Sequence, residues 1–234
     1  MIDGIELASS GLDAYANVQE TIARNLANAN TVGFKKNMIS FKSVLEGETN
    51  TLQTDYGIDY SHGSLTYTGN TFNMAIDGDG FFAVETANGI RYTRNGQFQL
   101  GNTGEIVTDT GSKVLGQGGP IVIPKGGGEI LVDKKGIIKV NGKEIGRLMI
   151  TNFNDLTKLI PTGNSTFTAP DDSIIDDTGE KKYNVAQGYL ESSNVSVVTE
   201  MVDMITNMRT YEASNNVIKS FSDLMEKLIA NQAT

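Results

Sequence analysis

The 234-residue chain has no cysteine, no tryptophan and a single histidine, His62. Without Cys there can be no disulfide and no thiolate metal site, while the redox compartment is left open. One His excludes a multi-His metal centre, and its place next to Ser61 in sequence does not orient it as a nucleophile's base. A carbohydrate-acting enzyme would need two facing carboxylates and an exposed aromatic platform, and the usual platform residue, Trp, is missing. Basic residues are outnumbered, 19 Lys and Arg against 28 Asp and Glu. The resulting net charge of −9 argues against nucleic acid or an anionic membrane surface as the main partner. No stretch approaches the roughly 18 apolar residues needed to span a bilayer. The opening Met1-Ile2-Asp3-Gly4-Ile5-Glu6 has neither a basic region nor an uninterrupted apolar run, so no cleavable secretory signal is expected.

What the chain does have is two matching ends. Ile5, Ala8, Leu12, Tyr15, Gln19, Ile22, Leu26 and Ala29 recur at steps of three and four, the a/d register of an amphipathic helix with one polar interruption. Val198, Met201, Ile205, Met208 and Tyr211 repeat the pattern, and Val217, Phe221, Leu224 and Leu228 resume it after a Ser214-Asn215-Asn216 break. The first helix is expected from about Asp3 to Asn28, closed by residues prone to the left-handed conformation at Asn28, Asn30 and Gly33. Both ends are net acidic, so burial of the apolar seams has to drive any pairing of one with the other. One seam, at roughly 1.5–3 kcal/mol per large buried side chain, offsets only part of an ordering cost of about 1–2 kcal/mol per residue. Neighbouring copies would supply the missing surface.

Between the ends the period changes. Nineteen of the 26 glycines lie from Gly57 to Gly146, interleaved with short β-branched and aromatic runs that predict antiparallel strands. Asn95-Gly96 and Asn141-Gly142 each predict a two-residue hairpin, 90–93 with 98–100 and 137–139 with 144–145. Further strands are expected at 80–85, 105–108, 120–123, 129–132, 147–153 and 183–191. Residues 37–70 read as a connector, in which Ile39, Phe41, Val44 and Leu45 suit a helical turn and 47–55 is polar and mobile. Residues 154–182 thin into an acidic segment. The reading is therefore α+β: an N-terminal helix in 1–33, an extended connector in 34–70, a central Gly-rich antiparallel domain in 71–190 and a C-terminal helix in 191–234, the helices pairing as a coiled-coil-like bundle.

Three constellations invite chemistry. Asp77-Gly78-Asp79-Gly80 lacks the third ligand and the closing Glu of a calcium loop and reads as a tight turn. Asp171, Asp172, Asp176 and Asp177 read as a solvated loop. Gly126-Gly127-Gly128 lacks the Lys-Ser/Thr of a phosphate loop. No catalytic, metal-ligating or cofactor-binding residue is assigned. A non-catalytic structural subunit, a secreted β-rich adhesive protein and a carbohydrate-acting enzyme remain the three classes to weigh.

The residues themselves resemble one family. Asn25-Leu26-Ala27-Asn28-Ala29-Asn30-Thr31-Val32-Gly33-Phe34 resembles the amino-terminal motif of bacterial flagellar rod and hook proteins. Gly188-Tyr189-Leu190-Glu191-Ser192-Ser193-Asn194-Val195, with Glu200 to Ile205 and Arg209-Thr210-Tyr211-Glu212, is similar to their carboxyl-terminal motif. Residues 75–82 and 92–96 resemble the opening of their β domain. Within the family, 119–124 and 145–148 look more like the proximal than the distal rod protein. The resemblance implies motif roles for Asn25, Leu26, Ala27, Asn28, Gly33, Phe34, Glu191, Asn194, Val195, Tyr211 and Glu212. It implies export unfolded through the flagellar type III apparatus, helical polymerisation with copies of itself and other axial proteins, and a place in the basal body, in the periplasm where an outer membrane exists. The packing surface expected for that assembly is Ile5, Leu12, Tyr15, Ile22, Leu26, Val198, Met201, Ile205, Met208, Phe221 and Leu224, with the β domain as an outer layer.

Overall fold

A computed structural model describes residues 2–46, 49–124, 126, 128–170, 174–175 and 183–232. The first helix, α1, spans Ile2–Ala27, close to its expected range. The expected closing conformation is found only at Gly33 (φ 66°), because neither Asn28 nor Asn30 has a positive φ. The last helix, α2, runs unbroken over Val197–Gln232. Its N-terminus is set by Ser196, whose Oγ accepts the hydroxyl of Thr199 at 2.9 Å and its backbone N–H at 3.5 Å. The helix continues through Ser214-Asn215-Asn216, where the apolar spacing is interrupted. None of the 36 residues is Gly or Pro, and the hydroxyls of Thr206, Thr210, Ser220 and Ser222 bond back to carbonyls four residues earlier.

The connector reading of 37–70 is overturned in its first part. Residues 37–58 form an antiparallel hairpin of β1 (Asn37–Glu46) and β2 (Thr49–Ile58), paired in continuous register from Asn37 opposite Ile58 to Glu46 opposite Thr49. Ile39, Phe41, Val44 and Leu45 therefore lie on a strand and not on a helical turn, since a ten-residue partner strand offers them ladder pairing. Residues 47 and 48 fall outside the described residues.

The chain divides into two compact units. The first comprises Met1–Ala29, Lys36–Asp59 and Val195–Thr234, which is to say α1, the hairpin and α2. The second comprises Asn30–Lys35 and Tyr60–Asn194. Its strands are β3 (Leu65–Tyr67), β4 (Met74–Gly78), β5 (Phe81–Thr86), β6 (Gly89–Thr93), β7 (Phe98–Leu100), β8 (Ile106–Thr108), β9 (Lys113–Gly116), β10 (Gly119–Pro120), β11 (Ile130–Val132), β12 (Ile137–Val140), β13 (Lys143–Arg147), β14 (Ile150–Phe153), β15 (Ile160–Gly163), β16 (Thr166–Thr168), β17 (Ile174–Ile175), β18 (Tyr183–Gln187) and β19 (Tyr189–Glu191). All the described pairings are antiparallel, and the main path runs β15-β16-β6-β5-β9-β8-β7. Met74, Ile76, Phe82, Ile106, Ile138 and Leu148 form the fully buried centre of the core. A second group stacks edge to face, with Tyr60, Phe153 and Phe167 around Phe81.

Several boundaries differ from expectation. Asn141 (φ 51°) and Gly142 (φ 79°) make the predicted turn between β12 and β13. Asn95-Gly96 does not, because β6 pairs with β5 and β16 while β7 pairs with β8. Asn95 instead accepts the Gln97 N–H on its side chain, and Gly96 lies where a Cβ would stand 1.6 Å from the Met74 carbonyl oxygen. The glycine serves a close approach of two backbones rather than a positive φ. The expected strand 147–153 is broken between β13 and β14, and 183–191 is broken at Gly188 (φ 82°) into β18, which pairs with β4, and β19, which pairs with β3. Part of the expected acidic loop is sheet, in β15 and β16 joined at Asn164-Ser165. Asp171, Asp172, Asp176 and Asp177 lie outside the described residues.

Candidate assembly surfaces and the junctions behind them

Two buried polar junctions organise the residues singled out in sequence. In the second unit the Glu191 side chain is 1% exposed and its carboxylate is shared between two cations. Oε1 accepts from Lys35 Nζ at 2.7 Å and from the Gly63 N–H at 3.0 Å, and Oε2 accepts from Arg94 at 3.2 Å. Lys35 also donates to the Ser61 carbonyl, and Arg94 to the carbonyls of Ile76 and Gly78, with its guanidinium 5.1 Å above the Phe81 ring. Burial lowers the Arg94 pKa from its usual value, and the opposing Glu191 charge acts the other way. The Glu191 carbonyl accepts the Gly33 N–H at 2.8 Å. At Gly33 a Cβ would meet the Arg94-Asn95 backbone within 2.4–2.5 Å. The amino-terminal and carboxyl-terminal motifs thus close on one another through Gly33, Lys35 and Glu191.

The first unit has its own junction. Asn25, buried, donates to the Asn37 carbonyl at 2.9 Å and to Glu200 Oε2 at 3.1 Å, while its oxygen accepts the Asn37 N–H at 2.8 Å. Lys36 Nζ reaches Glu200 Oε1 at 2.5 Å. Glu200 lies in the first turn of α2, where a negative charge suits the helix dipole. Neighbouring lysines therefore serve different carboxylates, Lys35 in one unit and Lys36 in the other.

The helices also meet through a polar contact. Asn207 Nδ2 donates to the Tyr15 carbonyl at 2.9 Å and to the Gln19 side chain at 3.0 Å. Beside this contact Tyr15, Ala16, Gln19, Asn207, Met208, Tyr211 and Glu212 line a groove of about 420 Å³. Of the expected packing surface, Ile22 is buried, and Leu12, Tyr15 and Leu26 are half-buried. The Ile5 side chain lies outside the described ones. Val198, Met201, Ile205, Met208, Phe221 and Leu224 are all exposed, Val198 to 74% and Ile205 to 53%. Within a single chain this α2 seam is therefore largely uncovered, with Met208 lining the groove beside Tyr15 and Ala16. α2 is anchored by the polar Glu200 and Asn207, both buried, and its apolar stripe is left uncovered. Among the motif residues, Asn25, Gly33, Glu191 and Val195 are buried, Asn28, Phe34 and Asn194 are half-buried, and Ala27, Tyr211 and Glu212 are exposed.

Sequence reasoning left Lys35, Lys36, Arg94 and Glu200 out of the candidate set. The adjacent lysines just after a helix end, in a chain short of basic residues, are the signal that marks two of them. His62 Nε2 stands 3.8 Å from Asp79 Oδ1, both exposed, on the turn side of β4 and β5. Among the described residues no group of three or more His, Cys, Asp or Glu is placed to hold a metal ion. No described helix is long and apolar enough to cross a membrane.

Comparison with known proteins adds three family matches in chain order. Residues 5–35 match the flagella basal body rod protein family, 75–140 the D1 domain of flagellar hook protein FlgE/F/G, and 186–231 the carboxyl-terminal region of flagellar basal body rod FlgEFG proteins. Full-length similarity is also present. The chain is 32% identical over 235 residues to the flagellar basal-body rod protein FlgF of Mesorhizobium japonicum, covering 98% of this chain and 97% of that one. It is 30% identical over 264 residues to FlgG of Bacillus subtilis, covering 98% of each. With FlgF of Salmonella typhimurium the identity is 33% over 242 residues, 95% of each.

Proposed function

The chain belongs to the flagellar basal-body rod protein family, and from that premise we propose that it is a non-catalytic structural subunit of the rod, polymerised helically through its terminal helices. The observation that carries the mode of assembly is the uncovered apolar stripe of α2, Val198, Met201, Ile205 and Met208, on a helix anchored to α1 by polar contacts. A stripe of this kind on a single chain stays wet unless another molecule covers it, and its burial at about 1.5–3 kcal/mol per large side chain would reward association. A contact of this stripe with a different patch on the next copy is heterologous, and a heterologous contact that does not close builds a helical filament. In this reading the paired termini form a coiled-coil-like inner layer.

Its partners are then copies of itself, other axial proteins of the flagellum and, during export, the flagellar type III apparatus. Within the rod we assign the proximal segment, on the resemblances at 119–124 and 145–148. Electron microscopy of purified basal bodies after deletion of the gene tests both levels. Loss of the whole rod supports a proximal subunit, a truncated rod supports a distal one, and an intact rod and hook ends the proposal.

A further inference from the structure

The sequence holds three Asn-Gly dipeptides, at 88–89, 95–96 and 141–142, and the fold treats them differently. Asn-Gly is the dipeptide most open to spontaneous deamidation, because no side chain on the glycine shields its nitrogen from the preceding amide carbon. The reaction needs the Asn side chain to swing onto the following backbone nitrogen. An Asn side chain held elsewhere cannot react until the site opens locally.

Two of the three are held. Asn95 accepts the Gln97 N–H at 2.9 Å, and Gly96 is buried against the Met74 backbone, accepting its N–H at 3.0 Å. Asn141 accepts the Glu129 N–H at 3.1 Å on its side-chain oxygen and donates its own N–H to the Glu129 carbonyl at 3.0 Å. It sits in a left-handed conformation at φ 51°.

Asn88 stands apart. It is exposed in the turn joining β5 and β6, and only its backbone is engaged, by an N–H to Thr86 Oγ1 at 3.3 Å. Its side-chain amide makes no hydrogen bond among the described residues. Gly89 is paired with Thr86 across the turn and its carbonyl accepts the Thr86 hydroxyl at 2.8 Å, while nothing lies within 4 Å of where its Cβ would stand.

We infer that Asn88 is a site of spontaneous deamidation in the folded protein, with water as the only co-reactant. The Gly89 nitrogen, losing its proton, bonds to Asn88 Cγ; the C–N bond of the side-chain amide breaks and ammonia leaves, giving a cyclic imide. Water then adds to either imide carbonyl and opens the ring to aspartate or isoaspartate. Either product adds a negative charge to a chain already at −9. The isoaspartate also lengthens the main chain by one carbon inside a two-residue turn, between Thr86 and Gly89, which are paired across it.

The test is peptide mapping by mass spectrometry of the full-length folded protein aged in mildly alkaline buffer, beside an aliquot aged in denaturant. In the folded sample Asn88 is expected to convert roughly tenfold or more faster than Asn95 and Asn141, the factor that about 1.4 kcal/mol of local opening supplies. In denaturant the three rates should converge. Folded-state conversion of Asn95 or Asn141 at or above the Asn88 rate overturns the inference, as does an unmodified Asn88 when the denatured control has reacted. Asn88→Gln should abolish the product at that site without shifting the melting curve.

Discussion

Glu191 is the residue on which the second unit's junction turns. It is the carboxylate common to Lys35 and Arg94, and all three side chains are almost wholly buried. Removing one member of such a set leaves charge stranded in low dielectric. Glu191→Gln should cost about 3–5 kcal/mol of stability in chemical denaturation, a large share of an ordinary domain's total. Tyr60 gives a pH signature at the same scale. Burial pushes its phenol up to about 12 in the fold, against about 10 when unfolded, so the folded state holds the proton more tightly. The stability tied to this group is complete below about pH 10 and is lost as pH rises towards about 12. Denaturation midpoints measured across that window should fall more steeply for the natural protein than for Tyr60→Phe.

At the scale of elements, the sequence announced both helices because three-and-four spacing depends only on the helix itself. It did not announce which face of α2 meets α1. Spacing counts Glu200 and Asn207 as outward polar residues, yet ion pairing with Lys36 and hydrogen bonding to Tyr15 draw them inward. The Asn-Gly dipeptides teach the same lesson in the sheet. At 141–142 the turn residues decide the local path, whereas at 95–96 the approach of the Met74 backbone overrides them. The β1-β2 hairpin was hidden because a short apolar run such as 39–45 fits helix and strand equally until its partner strand is known. The exposed stripe leads to a direct test. Met201→Ser with Ile205→Ser should leave the chain's own stability within about 0.5 kcal/mol per site, as for ordinary surface positions, while abolishing incorporation into basal bodies. A doubly substituted protein that still builds rods would remove the stripe from the assembly surface.

For the whole molecule, the contrast between the units predicts unequal firmness. The β unit has a contiguous buried core and a closed ionic junction, while α2 meets α1 through the polar Glu200 and Asn207 and leaves much of its own apolar surface wet. Limited proteolysis of the monomer should cut within α2 well before it cuts β5 or β6, and circular dichroism should show helix content rising on polymerisation. Rigid, protease-resistant ends in the monomer would instead mean that order precedes assembly.

The side-by-side anchoring of Lys35 and Lys36 also constrains how this backbone can change length. Each ammonium is seated in its own carboxylate pocket, so an extra residue inserted between them would pull one out of place, and a deletion would do the same. Relatives whose alignments run longer than this chain, such as the 264-position match to the Bacillus subtilis protein, are therefore expected to carry their additional residues away from this doublet, in segments not pinned on both sides.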